Sequence, residues 1–262
     1  KLSISVEGKE LAVLEGMGID GKSDLINEGK TVNSQLDYTL NSLKLQGQDM
    51  GSGKLTLKVG QIDGEALHQF SQQYSAQTKA LMAQIDVVQN PELYQQKVTE
   101  AFFNALPILM KGEPVITIAP LSWKNAKGET AFNLSLLLKD PTANTEEPQT
   151  LAQEVDRSVK SLDAKLTIPV DMATEFMTQI AKIEGYQQEQ AADLAKQQVN
   201  GLAAMGQMFR ITTMQDNVIG SSLQYANGQV TLNGQKMSLD EFVGMFGMPS
   251  LGEPDAPAIP QQ

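Results

Sequence analysis

The 262-residue chain contains no cysteine, so neither disulfides nor thiolate-held metals can support its fold. It holds a single histidine, His68, and a single tryptophan, Trp123. One histidine leaves no room for a histidine-rich metal site and little for a nucleophile–base pair. Positive charge is also scarce. Twenty Lys and Arg face 31 Asp and Glu, for a net charge of −11. No basic cluster exists to neutralise a phosphate backbone, which argues against nucleic-acid binding. The same balance disfavours direct docking to lipid headgroups, although it does not oppose burial of a lipid tail. No run reaches the roughly 18 apolar residues that a membrane span requires.

No signal-peptide pattern is read in these residues either. The chain starts at Lys1 without a methionine, and Leu2, Ile4 and Val6 alternate at once as in a strand. The expectation is a piece of a longer protein, with any targeting or anchoring segment upstream.

The periodicities that are present come in a repeated order. Leu55, Leu57 and Val59 alternate with Lys54, Thr56 and Lys58, which predicts a half-buried strand. From Glu65 the period becomes helical, with Leu67, Phe70, Tyr74, Leu81 and Ile85 near one face. Asn90-Pro91 restarts a helix, with Asn as cap and Pro in the first turn. Its stripe includes Tyr94, Val98, Phe102, Ala105 and Leu109, and Pro107 should end or kink it. Strands follow over 115–121 and 131–138, joined by a turn at 125–128. After a Pro-rich tract at 140–150 the order recurs. Leu162, Ala164, Leu166, Ile168 and Val170 alternate, Asp171 can cap a helix carrying Met172, Phe176 and Ile180, and a second helix runs from Tyr186 past Val199 to Phe209. Strands are predicted over 210–214, 221–225 and 229–232, with Asn227-Gly228 and Asn233-Gly234 as hairpin turns. Ser238 and Glu241 form a capping box for a last short helix over 239–246.

The letters repeat as well as the order. Gly-Lys-Leu-Thr-Leu-Lys-Val59 answers Ala-Lys-Leu-Thr-Ile-Pro-Val170, and Leu-Tyr-Gln-Gln96 answers Gly-Tyr-Gln-Gln188. Together they predict an α+β fold: a curved antiparallel β-sheet covered on one face by helix pairs, from a duplicated strand–helix–helix–strand unit. The parts are 1–139 (N-terminal strands plus the first unit), a linker at 140–150, the second unit at 151–248 and a flexible, proline-rich tail at 249–262. Phe102 and Val199 are both expected to point from a second helix onto the sheet. In the first 50 residues, the alternation of Leu36, Tyr38 and Leu40 slips by one at Leu43 and Leu45, which predicts a β-bulge near Asn41-Ser42.

The paired Lys-Leu-Thr strands and the closing Asn-Gly-Gln-Val-Thr-Leu-Asn-Gly234 resemble the C-terminal half of the YdgA-like family of bacterial envelope proteins, a domain of unknown function. The resemblance implies a periplasmic location, tethered to the inner membrane through an N-terminal segment that does not belong to this sequence. It brings no catalytic residues.

Candidate chemistry is thin. Glu65 and His68 have the spacing of a di-iron half-motif, but residues 174–177 in the second unit supply no histidine, so His68 reads as a surface residue. Met205 with Met208, and Met245 with Met248, read as core or groove lining rather than as copper ligands. Asp20, Asp24, Asp37, Asp49 and Asp63 fall near expected turns, and Gly51-Ser-Gly53 reads as a turn before a strand. Trp123 reads as capping a core edge or marking a partner surface. No cofactor, no metal and no enzymatic activity are expected. The favoured function is a structural or protein-interaction module of the envelope, acting through an unknown protein partner or a homo-oligomer. The alternative is a carrier of lipid or another hydrophobic ligand, in a groove formed by Phe102, Phe176, Val199, Leu202, Met205, Gly206 and Phe209. Gly201 and Gly206 ask for a reason in that helix: close backbone approach, or room for a ligand.

Overall fold

The structure, a computed structural model, describes residues 1–84, 89–143 and 148–246. The expected tail at 249–262, and the 144–147 part of the expected linker, lie outside the described residues.

The elements run β1 (Leu2–Val6), β2 (Lys9–Ile26), β3 (Thr31–Leu45), β4 (Gln48–Asp63), α1 (Gly64–Gln84), α2 (Pro91–Met110), β5 (Val115–Asn125) and β6 (Gly128–Leu138). After a short 3₁₀ turn come α3 (Leu151–Ser158), β7 (Val159–Pro169), α4 (Val170–Ile183), α5 (Gln188–Met208), β8 (Thr213–Gln215), β9 (Val218–Ala226), β10 (Gln229–Leu232), β11 (Gln235–Ser238) and α6 (Leu239–Gly244). All strands join one open, curved antiparallel sheet in the order β1-β2-β3-β4-β5-β6-β7-β9-β10-β11, with β8 paired to β9. Strand β6 pairs with β7, so the sheet crosses the 140–150 tract without a break. The repeat is topological: β4-α1-α2-β5-β6 and β7-α4-α5-β9-β10 follow one path, each helix pair returning the chain beside the strand it left.

The sheet has one apolar and one polar face, because directly opposed residues of antiparallel strands point the same way. One cross-strand row reads Ile19, Tyr38, Leu55, Leu121, Phe132 and Leu166. The next reads Leu36, Leu57, Ile118, Leu134, Ala164 and Leu223. Next to this second row, on the other face, run Lys22, Gln35, Lys58, Thr117, Ser135, Asp163 and Gln224. Helices α3 and α6 cover the far end of the apolar face, where Ala152, Tyr225, Val230 and Leu239 make one buried cluster. A second cluster joins Val170, Val199, Ala203 and Ile219 beneath α4 and α5. The row from Leu36 to Leu223 is only half-buried along its whole length.

Several local expectations are corrected. Phe102 does not reach the sheet; it packs edge-on against Phe70 and Tyr74 of α1 and is 39 % exposed. The cause is where the helices start. Val170, the first residue of α4, matches Val59 in the repeat, but β4 continues to Asp63 before α1 begins. Helices α1 and α2 then touch the sheet chiefly at β4, whereas α4 lies across β4 to β7. Helix α2 runs through Pro107 to Met110, and Asn90 makes no side-chain cap bond. Pro169, not Asp171, precedes the first turn of α4. Strand β8 starts at Thr213, because Arg210 turns left-handed at φ 59° and Ile211 and Thr212 wrap back onto the carbonyl of Gly206. Asp20, Asp24 and Asp37 lie inside strands, while Asp63 Oδ1 accepts the Ala66 N–H at 2.8 Å and caps α1. Gly51 and Gly53 also lie inside a strand, β4. Both Asn-Gly pairs hold positive φ at each residue, as tight hairpins require, and the capping box at Ser238 and Glu241 is complete. The pairing of β3 with β4 slips between Leu40 and Leu43, where the bulge was expected.

Candidate functional site

An apolar cleft of about 730 Å³ lies between the sheet and the α4/α5 pair. Its floor is the cross-strand set Leu121, Trp123, Thr130, Phe132, Leu166, Ile168 and Ile219. Strand alternation puts these side chains on one face. Helix α4 contributes Met172, Ala173, Phe176 and Met177, whose i, i+1, i+4, i+5 spacing is one helical face. Helix α5 contributes Val199, Leu202 and Ala203. The buried residues of α5 are Ala191, Ala195, Val199 and Ala203, a stripe of small side chains that lets it lie close to α4.

Among the described residues no charged side chain lines the cleft. Its polar atoms are mostly tied to backbone. Trp123 Nε1 donates to the Met50 carbonyl at 2.7 Å, and Thr130 Oγ1 donates to the Thr167 carbonyl at 2.8 Å. Thr212 Oγ1 is buried with no hydrogen-bond partner among the described residues. The cleft therefore offers dispersion and the hydrophobic effect, with one hydroxyl left over. Trp123 fits because Gly53 stands opposite it; a Cβ there would lie 2.7 Å from the ring.

Of the seven groove residues read from the sequence, Phe176, Val199 and Leu202 line this cleft. Gly206 borders it through Thr212, whose side chain would overlap a Cβ at Gly206, so the glycine serves close approach. Met205 and Phe209 stand exposed on the outer side of α5, and Phe102 belongs to the distant α1/α2 pair. The sheet floor was missed. Its signal was the alternation itself, once strand neighbours are known.

His68 is exposed on α1 and shares a hydrogen bond with Gln72 Nε2 at 2.9 Å. Among the described residues no group of three or more His, Asp or Glu could hold a metal, and no helix is long and apolar enough to cross a membrane.

Fold and cleft together define an open antiparallel-sheet protein, built by duplication, whose helices roof an apolar cleft. The chain belongs to the family described as "Bacterial protein of unknown function (DUF945)", which matches residues 1–240. It is 77 % identical over 262 residues to Protein YdgA of Escherichia coli (strain K12), covering 100 % of this chain and 52 % of that protein. It is 32 % identical over 248 residues to the Uncharacterized protein YihF of the same organism, covering 94 % of this chain and 50 % of that protein. The chain thus spans about half the length of the curated relatives it matches. No solved structure is a significant match.

Proposed function

We propose that this chain is a non-enzymatic module of the bacterial envelope that binds one elongated hydrophobic ligand, such as an acyl chain, in the cleft under α4 and α5. The observation that carries the reading is the cleft itself: about 730 Å³, lined by apolar side chains from five strands and two helices. Small-molecule sites are commonly about 300–1,000 Å³ and mostly apolar, with few polar groups. A core that served only stability would fill such a space. The family resemblance supports the envelope location, and the proposal includes an inner-membrane anchor upstream of these residues.

Binding is tested with dansyl-undecanoic acid and by native mass spectrometry of gently purified protein. Leu121 is 46 % exposed and lines the cleft, so Leu121→Asp should fold yet place a carboxylate against the ligand. Probe affinity should fall about tenfold or more. Leu93→Asp, on exposed α2 surface outside the cleft, should leave it unchanged. A wild-type protein that binds no probe and carries no lipid would sink the ligand reading.

A second reading, a protein-interaction module, is favoured by the sheet edge. Among the described residues strand β1 pairs with β2 alone, and it exposes Leu2, Ile4 and Val6. An open apolar edge is a template for strand addition. Glu or Lys at Ile4 should abolish any complex formed through it and leave probe binding untouched.

A further inference from the structure

The outer side of α5 changes character toward its C-terminal end. Leu202, Met205, Met208 and Phe209 are 64 %, 54 %, 69 % and 54 % exposed. Their spacing places them along one side of the helix. Leu202 belongs both to this patch and to the cleft lining, so the patch forms the rim of the cleft.

The electrostatics of the segment depart from those of the chain. Residues 194–215 contain no Asp or Glu, although the chain carries 31. Their only charges are Lys196 and Arg210, both exposed. No ion pair among the described residues involves either. The overall charge of −11 repels an anionic surface. An apolar, locally acid-free rim with one arginine at its tip suits a bilayer whose headgroups are zwitterionic: the side chains enter the acyl boundary and the guanidinium meets phosphate.

We propose that the C-terminal end of α5 docks on a neutral phospholipid bilayer, and that the hydrophobic ligand passes between bilayer and cleft past Leu202. This rests on the ligand-binding reading for its purpose, but docking is measured separately. The general expectation from net charge, that headgroup docking is disfavoured, is overridden locally by the rim.

The test is flotation of the purified chain with dioleoylphosphatidylcholine vesicles. Wild type should float. Met205→Asp and Phe209→Asp, at residues that do not line the cleft, should each lower vesicle affinity about tenfold or more, since each replaces an apolar side chain that would enter the membrane. Both should bind dansyl-undecanoic acid in solution as wild type does. Leu121→Asp should do the reverse, floating normally while losing the probe. A wild type that does not float, or Asp variants that float equally well, overturns docking whatever the probe shows. A second readout does not depend on those variants. The chain has no cysteine, so Met208→Cys carries a single environment-sensitive dye. Its emission should shift to the blue on vesicles, and an unchanged spectrum overturns the proposal.

Discussion

The Tyr225 hydroxyl donates to Asp156 Oδ1 at 2.6 Å, joining β9 to α3 across the buried cluster at the far end of the sheet. Burial, and then the Asp156 carboxylate, push the Tyr225 phenol up to about 12. The same hydrogen bond, helped by Lys139, holds the Asp156 carboxyl below its usual range.

Two pH arms follow. Asp156 is depressed in the folded state, so its contribution is present above the unfolded carboxylate range and is lost as pH falls through the folded value. Tyr225 is raised, so its contribution is present below about 10 and is lost as pH rises toward about 12. Tyr225→Phe should cost roughly 1–2 kcal/mol at neutral pH and flatten both arms. Denaturant melts across pH check this; arms unchanged from wild type would show that the pair does not control them.

Two glycines of α5 should respond in opposite ways. Nothing lies within 4 Å of a Cβ built at Gly201, whereas one at Gly206 overlaps Thr212. Gly201→Ala should stabilise by roughly 0.5–1 kcal/mol, from helix propensity alone. Gly206→Leu should destabilise by roughly 1–3 kcal/mol. Thermal denaturation of the two variants separates the cases, and a Gly206→Leu protein as stable as wild type would restore the view that this glycine leaves room for a ligand.

The α1/α2 pair should be the looser of the two helix pairs. Its aromatic cluster of Phe70, Tyr74, Phe102 and Phe103 is partly exposed, and its buried residues are alanines alone. Phe102→Ala should cost about 1–2 kcal/mol, below the roughly 3–5 kcal/mol of a fully buried ring. Hydrogen exchange should protect amides of α4 and α5 longer than those of α1 and α2. Equal protection would mean that the first pair is braced by contacts beyond its aromatic cluster.

These contrasts show where sequence reading succeeds and stops. Alternation revealed the strands because each has one wet face, and Asn-Gly revealed the hairpins because only such residues hold two successive positive φ values cheaply. The repeat was legible in Lys-Leu-Thr at Lys54 and Lys165. The different docking of the two helix pairs was not. It depends on Pro169, which carries no N–H and sits where α4 starts, against Lys58, after which β4 keeps pairing through Gly60 with Val115. The cleft was half legible. Helix α5 gave Val199 and Leu202 by period, but its floor joins residues from 121 to 219 that only strand order brings together. Gly51 and Gly53 misled because a glycine pair before a strand usually signals a turn. Here the strand needs Gly53 to admit an indole, and Gly51 holds φ +105° against the Lys124 carbonyl.

That indole gives the most direct test of the cleft. Trp123 is the only tryptophan in the chain and lines the cleft wall, with Nε1 held by the Met50 carbonyl and its ring over Gly53. A ligand in the cleft must contact it. Addition of dansyl-undecanoic acid should quench Trp123 emission by transfer to the dansyl group, saturating at one ligand per chain. Leu121→Asp should abolish the quenching without moving the emission maximum of the free protein. Gly53→Val is the complementary change. Its side chain would drive into the ring at 2.7 Å, displace the indole from Met50, and shift the emission to the red as water reaches it. Stability should fall by roughly 1–3 kcal/mol in the same variant. Saturable quenching in wild type that survives Leu121→Asp would mean that the probe binds elsewhere, and the cleft would then be a packing defect rather than a site.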